Sequence, residues 1–364
     1  MTELNFLPTI SDRFTTTSPS PSFSSHSLLP FTHRRTRQSN HRPVSVRMEQ
    51  SRPRNRKDKI VVILGATGAG KSRLSVDLAT RFPSEIINSD KIQVYEGLEI
   101  TTNQITIPDR RGVPHHLLGY LPSEDGELTA GDFRADASNA VSDIISRKKL
   151  PIIAGGSNSF VHALLAERFD PKIDPFASSS ICRDLRYDSC FIWVDVSEPV
   201  LFEYLLKRVD EMMGSGMFEE LSGFYDPVKA SRARFGIRKA IGVPEFDGYF
   251  KMYPPEKEVK WDSGRRAAYD KAVEDIKENT LRLARRQVWK IERLREAGWD
   301  IKRVDATASF RAVMMSSSSS REWREIWEEQ VLEPSVKIVN RLLVEDWVIS
   351  QPFSSSFFFC FSYH

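Results

Sequence analysis

The residues best suited to chemistry lie in one glycine-rich segment with the pattern G-x-x-x-x-G-K-S. In such a loop backbone N–H groups converge on an anion, the lysine adds positive charge, and the serine hydroxyl suits Mg²⁺. A glycine-rich turn with an incidental lysine is the alternative, but it does not explain why the glycines, lysine and serine fall in register. The sequence therefore predicts a phosphate- or diphosphate-binding loop with Ser72 as a Mg²⁺ ligand. Its residues are Gly65, Ala66, Thr67, Gly68, Ala69, Gly70, Lys71 and Ser72.

A second polar cluster, residues 88–95, follows another apolar run and contains the carboxylate of Asp90. Ligands of open α/β sheets bind at the carboxyl ends of the strands, so this cluster is expected close to the glycine-rich loop. Asp90 is suited either to ligate Mg²⁺ or to take a proton from a nucleophile. A helix cap or an Asx turn is the structural alternative.

Other polar residues also follow predicted strands. Gly155, Gly156, Ser157 and Asn158 follow one apolar run, which suits either a close backbone approach to a ligand or a packing turn. Asp195 ends another run, where it can hold Mg²⁺ through water or lie in a core turn. The adjacent His115 and His116 cannot face the same way on a strand or a helix, so we expect structural roles for them.

Strand-like runs alternate with helical patterns, which favours a parallel sheet. The predicted strands are Ile60–Leu64, Glu85–Asn88, Ile152–Ala154 and Phe191–Val196. Predicted helices are Ser72–Arg81, Thr129–Arg147, a helix from Pro199 to about Gly214 and a long one from about Tyr269 to Ala297. The fold class is therefore α/β, a P-loop NTPase-like parallel sheet flanked by helices. A mostly helical insertion over about residues 198–262 is expected to close over the site.

The first 48 residues contain 16 Ser or Thr and six Arg, but only Glu3 and Asp12 as acids. This composition predicts a disordered organelle transit peptide, with the plastid favoured and the mitochondrion as second choice. A merely disordered N-terminus is the alternative. Residues 49–364 then carry 46 Lys and Arg against 47 Asp and Glu, a poor match for a polyanion such as tRNA.

The C-terminal part, residues 311–364, has a composition unlike that of the main domain. A Met- and Ser-rich stretch over 311–320 predicts a linker, the next residues to about 348 a helical segment, and the last stretch is an atypical Phe-rich tail. The three cysteines have no metal-ligand spacing, so we expect no zinc site. No segment has the length and composition of a transmembrane helix, and we expect a monomer without a membrane partner.

Taken in order, these motifs resemble the isopentenyltransferase family, in particular the plant adenylate isopentenyltransferases of cytokinin synthesis. The likeness covers about residues 58–310, a predicted P-loop prenyltransferase domain, and the order of the motifs is far more specific than the loop alone. The matching segments are Gly65–Ser72, Asn88–Gln104, Gly112–Leu121, Leu150–Phe160, Cys190–Ser197, Gly236–Phe246 and Glu278–Gln287.

The resemblance implies that the loop holds the diphosphate of dimethylallyl diphosphate instead of hydrolysing ATP. The N6 amino group of ATP or ADP, with AMP left open, would attack the prenyl carbon in the first step of cytokinin biosynthesis. Lys71, Thr67 and Mg²⁺ would stabilise the leaving diphosphate, and Asp90 would act as general base. Arg238 and Lys239 would approach the leaving group or the nucleotide phosphates, and Ser157 and Asn158 would line the site.

Three alternatives differ from this interpretation. A tRNA dimethylallyltransferase shares the loop and the Asp90 block, but eukaryotic versions commonly carry a Cys/His zinc finger that this sequence lacks. A P-loop kinase or ATPase would need a phosphoryl acceptor site and a lid of arginines. A non-catalytic nucleotide-binding regulator is disfavoured because Lys71, Ser72 and Asp90 are all present. Because the zinc finger is lacking and residues 49–364 are nearly neutral, no nucleic acid is expected as a partner.

Overall fold

A six-stranded sheet, parallel throughout, forms the centre of the computed structural model. Along the sheet the order is β3-β2-β4-β1-β5-β6. The strands are β1 (Lys59–Leu64), β2 (Ser84–Asn88), β3 (His115–His116), β4 (Leu150–Ala154), β5 (Asp188–Asp195) and β6 (Ile301–Asp305). The structure describes residues 57–349 except 124–125, 179, 233, 256–260 and 316–320, so the predicted transit peptide and Phe-rich tail lie outside the described residues.

The predicted α/β class is confirmed, and the four predicted strands are the four central ones. The two edge strands were missed for physical reasons. The first edge strand, β3, has only two residues. In β6 at the other edge, only Ile301 and Val304 are buried while the charged residues between and after them are exposed, so no continuous apolar run marks the strand.

The central position of β1 determines where the glycine-rich loop lies. Residues Ile60–Leu64 are completely buried, because β4 and β5 flank the strand and helices cover both faces. The loop therefore leaves the middle of the sheet at its carboxyl edge. The segments after β2 and β4 leave the same edge, as expected for neighbouring parallel strands.

Three helices pack on this part of the sheet: α1 (Lys71–Arg81), α2 (Ala130–Ser146) and α3 (Asn158–Leu165). A capping box fixes the start of α2, where Thr129 Oγ1 accepts from the Asp132 amide at 3.1 Å and Asp132 Oδ2 accepts from the Thr129 amide at 3.1 Å. The predicted helices over these residues are confirmed to within two residues at each end.

The region predicted as a helical insertion is helical. It contains α4 (Glu198–Met212), α5 (Phe218–Phe224), α6 (Pro227–Ala230) and α7 (Val243–Met252), with a π-helical turn over 213–217 and a 3₁₀ turn over 236–239. Next comes the long helix α8 (Ser263–Glu296). It begins six residues before the predicted start because Asp262 caps it, accepting from the Arg265 amide at 2.7 Å. Aromatic side chains join α5 and α7 to α8. The ring centroid of Phe218 lies 5.5 Å from that of Phe246 and 5.4 Å from that of Tyr269.

After β6 the chain continues as α9 (Thr307–Met315), α10 (Glu322–Trp327), a π-helical segment over 328–332 and α11 (Glu333–Ile349). The linker predicted over 311–320 is wrong as far as Met315, which is helical, because an amphipathic helix precedes the serine run. The predicted boundary near residue 310 falls inside α9. Trp323 and Trp327 of α10 are buried in the core cluster that contains Val61 and Ile63 of β1 and Ile192 of β5. In the part of the chain that the structure describes, no helix is both long and apolar enough to cross a bilayer.

Candidate active site

A cavity of about 510 Å³ lies at the carboxyl edge of the sheet. Its walls come from the glycine-rich loop, the residues after β2, the turn after β4, and the helices α4 and α8. Residues 239–241, Pro244 and Glu245 of the insertion also line it, so the insertion contributes part of the wall. The loop contributes Thr67, Gly68, Gly70, Lys71 and Ser72 to the wall.

Two loop glycines are required by both conformation and space. Gly68 has a φ of 76° and Gly70 a φ of 92°, values in the left-handed region that favours glycine. A Cβ at Gly68 would lie 2.6 Å from Leu205 Cδ2, and one at Gly70 would lie 2.7 Å from Trp327 Cη2. The other loop residues are Gly65, Ala66 and Ala69, and both alanines are buried.

Lys71 is held against the loop at the start of α1. Its Nζ donates a hydrogen bond to the carbonyl of Ala66 at 2.7 Å. Withdrawal of the ammonium from solvent lowers the pKa of Lys71 to about 8, an effect that Asp90 opposes and Arg208 reinforces. The lysine is therefore a cation that would gain from an anionic ligand.

Asp90 faces the same cavity from the end of β2. Its Oδ1 accepts from the Ile92 amide at 3.0 Å, and its own amide donates to Asn88 Oδ1 at 3.1 Å, which is the Asx-turn alternative raised for this segment. A Cβ at Gly156 would lie 2.8 Å from Asp90 Oδ2, so the glycine makes room for the carboxylate. Asp90 therefore forms the turn and also lines the cavity, because only its Oδ1 is held by the Ile92 amide.

Gln287 of α8 connects the glycine-rich loop to the turn after β4. Its Oε1 accepts from the Thr67 amide at 2.6 Å and its Nε2 donates to the Gly156 carbonyl at 3.0 Å. The backbone carbonyl of Gln287 accepts in turn from Asn158 Nδ2 at 3.1 Å. Sequence reasoning missed its role, although a buried glutamine within the apolar stripe of α8 is a signal that a polar partner must exist.

Arg208 of α4 is a second residue that sequence reasoning missed. Its Nη2 donates to Thr67 Oγ1 at 3.2 Å, and the side chain lines the cavity close to Lys71. Burial lowers the pKa of the arginine, so two cations, Lys71 and Arg208, are partly desolvated beside one loop. Such a pair is suited to an anionic ligand. An arginine within the largely apolar side of α4 was the available signal.

Ser157 and Asn158 are placed behind the cavity wall. Ser157 Oγ accepts from the Lys91 amide at 2.8 Å, which fixes the segment after Asp90. Asn158 is buried, and neither residue is among the described residues that line the cavity. Their predicted contact with substrate stays a prediction, and the structure gives both a role in holding the backbone.

The side chains of the adjacent residues Arg238 and Lys239 lie in different places. Lys239 lines the cavity, and its Nζ pairs with Glu127 Oε2 at 2.6 Å, while Lys91 pairs with the other oxygen of Glu127. The guanidinium of Arg238 lies over the Phe224 ring, 4.6 Å from its centroid, and is not among the described cavity-lining residues. The structure thus brings Lys239, but not Arg238, to the predicted site.

Two other sequence candidates lie elsewhere. Asp195 accepts from Arg303 Nε at 2.6 Å on the neighbouring strand and is not among the described residues at the cavity, which favours the core-turn interpretation. His116 bonds to the buried Glu85 at 2.7 Å, and His115 to the Val113 carbonyl at 2.8 Å, so both histidines have structural partners.

The residues present fit a Mg²⁺ ion that arrives with a diphosphate. Within the described ranges, no group of three or more His, Cys, Asp or Glu residues is placed to hold a metal ion. Mg²⁺ commonly takes only one or two protein ligands and draws the rest from phosphates and water. The Ser72 hydroxyl at the cavity wall is a suitable single ligand of that kind.

Known proteins are similar to this chain in sequence and in fold. The IPP transferase family profile matches residues 93–184 and 174–291. Adenylate isopentenyltransferase 1, chloroplastic, from Arabidopsis thaliana is 75% identical over 95% of this chain and 100% of its own length. Adenylate isopentenyltransferase 8, chloroplastic, from the same plant is 57% identical over 90% of this chain and 98% of its own length.

A crystal structure of a eukaryotic dimethylallyltransferase acting on tRNA has the same fold, with a TM-score of 0.62. It covers 82% of this chain and 81% of its own, at only 23% identity. The family profile and the two plant relatives establish the relationship in sequence. The chain therefore belongs to the IPP transferase family, within the group of plant adenylate isopentenyltransferases.

Proposed function

We propose that this protein transfers the dimethylallyl group of dimethylallyl diphosphate to N6 of the adenine of ATP or ADP, the first step of cytokinin biosynthesis. The observation that carries the proposal is that Lys71 and Asp90 line the same cavity. An anion-binding loop and a carboxylate on one cavity suit a reaction in which diphosphate leaves while an amine loses a proton.

The diphosphate would lie on the loop. Lys71, Arg208 and the loop amides supply positive charge, and the Thr67 hydroxyl is held within reach by Arg208 Nη2. These groups would stabilise the charge that develops on the bridging oxygen as the C–O bond breaks. Mg²⁺ held by Ser72 and the phosphate oxygens would, when bound, neutralise further negative charge on the leaving group.

The adenine would approach from the side of Asp90. The exocyclic amine is a weak nucleophile because its lone pair is delocalised into the ring, so removal of a proton during attack lowers the barrier. The anchored Oδ1 of Asp90 fixes the carboxylate for this role. The enclosing insertion would exclude water, which competes with the amine for the allylic carbon.

The acceptor phosphates would lie at the basic rim of the cavity, which includes Lys239, Arg282 and Arg286. These cations favour a nucleotide with several phosphates over AMP. A tRNA acceptor has less support, because the relatives that match at high identity are named adenylate isopentenyltransferases. We place the enzyme in the plastid, since both relatives are named chloroplastic and the first 48 residues have a transit-peptide composition.

The test is an acceptor panel with the purified protein, radiolabelled dimethylallyl diphosphate and Mg²⁺. ATP, ADP, AMP and an unmodified tRNA are each offered, and the products are separated by chromatography. We expect label on N6 of ATP and ADP at rates well above those for AMP and tRNA. Label on tRNA alone would support the alternative enzyme, and absence of label from every adenine would overturn the proposal.

A further inference from the structure

The ring of Trp327, in the C-terminal segment, packs directly against the phosphate-binding loop. The side chain is only 1% exposed. A Cβ built on Gly70 would lie 2.7 Å from Cη2 and 3.0 Å from Cζ3 of the indole. The indole therefore occupies the space that a side chain at Gly70 would need, and the loop backbone rests on its edge.

The indole is also tied to the helix that follows the loop. Its Nε1 donates to Asp77 Oδ2 at 3.0 Å, and the other oxygen of Asp77 accepts from Arg111 at 2.9 Å. The Arg73 guanidinium, two residues after Lys71, lies 5.6 Å from the Trp327 ring centroid and 4.5 Å from that of Trp323. The ring thus has an anchor on α1 and a contact on the loop.

We propose that Trp327 is a positioning residue for diphosphate binding. This inference rests on the proposed function insofar as diphosphate is the ligand of the loop. Gly70 has a left-handed conformation immediately before Lys71, so the direction of the Lys71 side chain depends on the backbone of Gly70. The indole restricts that backbone from one side. The C-terminal segment, which follows the motifs that identify the family, thereby acts on the catalytic loop.

Trp299 offers a matched control. It is 3% exposed and donates from its Nε1 to the Cys182 carbonyl at 3.0 Å, so it too is a buried indole with a buried hydrogen bond. Its ring packs against Phe191 and His162, in a core cluster different from that of Trp327. Replacement of either indole by Phe removes one hydrogen bond and comparable apolar contact, but only Trp327→Phe leaves space beneath Gly70.

The experiment measures Mg²⁺-pyrophosphate binding by calorimetry, together with KM for both substrates and the thermal midpoint. We expect Trp327→Phe to weaken pyrophosphate binding and raise KM for dimethylallyl diphosphate by about tenfold, since small displacements of binding groups are costly. KM for ATP should stay within about twofold of the wild-type value, because the acceptor side is untouched. Trp299→Phe should lower the thermal midpoint by a comparable amount. It should change neither the affinity for pyrophosphate nor KM for dimethylallyl diphosphate.

The measurements distinguish failure of the positioning role of Trp327 from failure of the proposed function. If Trp327→Phe and Trp299→Phe lower the thermal midpoint alike and both leave pyrophosphate binding unchanged, Trp327 is only a core residue and the inference is overturned. If the wild-type protein fails to bind pyrophosphate, the proposed function itself fails. Should Trp327→Phe not fold, Asp77→Leu tests the same anchor, because it replaces the acceptor of the indole N–H by an apolar side chain with the same branching. An unchanged pyrophosphate affinity in that variant would equally refute the positioning role.

Discussion

Gln287 accepts a hydrogen bond from the backbone amide of Thr67 at 2.6 Å, although the two residues lie 220 positions apart in the chain. The same side chain donates to Gly156 at 3.0 Å, next to the carboxylate of Asp90. One amide group therefore joins the phosphate-binding loop to the turn beside Asp90. The relative position of these two sides of the site depends on α8.

Replacement of Gln287 by Ala should lower kcat/KM by roughly a hundredfold, because misplacement of reacting groups by about 1 Å has an effect of that order. The Thr67 amide and the Gly156 carbonyl would both lose their partner. Steady-state kinetics with both substrates are the measurement. Arg285→Ala serves as the control, since Arg285 lies two residues away, pairs with Glu198 and is exposed. Equal activity of the two variants would contradict the bridging role.

Local patterns in the sequence predicted the centre of the fold and the chemistry of its loop. The run Ile60–Leu64 indicates a strand buried on both faces, and Lys71 and Ser72 have a chemical meaning set by their spacing from Gly65. The position of Asp90 after a second apolar run predicted its place at the cavity. In each case the decisive information lies within about ten residues of the chain.

Long-range partners could not be predicted in this way. The periodicity of α8 shows that Gln287 lies on a buried face, but not that Thr67 is its partner. Likewise the apolar pattern around Trp327 predicted a helix, and nothing in it indicated contact with Gly70. Arg238 and Lys239 are neighbours with opposite placements, because the 3₁₀ turn over 236–239 directs one side chain to Phe224 and the other to the cavity.

The pH dependence of diphosphate use should report on Lys71. Burial lowers its pKa to about 8, so the free enzyme loses this positive charge as the pH rises through about 8. We expect kcat/KM for dimethylallyl diphosphate to fall above that pH. Lys71→Arg stays charged, so its activity, although lower, should lack this fall. A wild-type profile that is flat to pH 9.5 would contradict the assignment.

The same shift makes a prediction about stability. In the unfolded chain the lysine titrates near its ordinary value of 10.5, so the unfolded state binds more protons than the folded state between about pH 8 and 10.5. The contribution of Lys71 to the free energy of unfolding therefore rises with pH across that window, and its burial is most unfavourable below pH 8. Lys71→Met should raise the thermal midpoint at pH 7 while abolishing transfer. A lowered midpoint would show that the Ala66 hydrogen bond outweighs desolvation.

Asp90→Asn should separate catalysis from binding. The amide oxygen can still accept from the Ile92 amide, so the turn is retained. It cannot take a proton, and loss of a general base typically lowers the rate by about 10²–10⁴-fold. We expect that loss in kcat, with KM for both substrates changed by less than about threefold. A variant with wild-type kcat would exclude Asp90 as the base.

Arg208→Gln should impair the diphosphate side of the site selectively. The variant loses one of the two cations beside the loop, together with the hydrogen bond that Arg208 Nη2 donates to Thr67 Oγ1. A charge-assisted contact is about twice as strong as a neutral one, so KM for dimethylallyl diphosphate should rise by roughly tenfold. KM for ATP should be unaffected. Lys207→Gln, on the exposed side of the same helix, is the control for a change of net charge.

Glu127→Gln should strengthen binding of nucleotides with several phosphates. The Glu127 carboxylate pairs with both Lys91 and Lys239, and these lysines, against the opposing effect of burial, keep its pKa below the ordinary value. Lys239 lines the cavity, so an acceptor phosphate there must compete with this carboxylate for the lysine. Removal of the carboxylate charge should therefore lower KM for ATP by about threefold, in keeping with the modest energies of partly exposed ion pairs. AMP reaches the rim with less charge, and its KM should change less. The ratio of the two KM values, measured at low and at high salt, is the readout: it should shift most at low salt, and an unchanged ratio would mean that Glu127 only holds the two lysines in place.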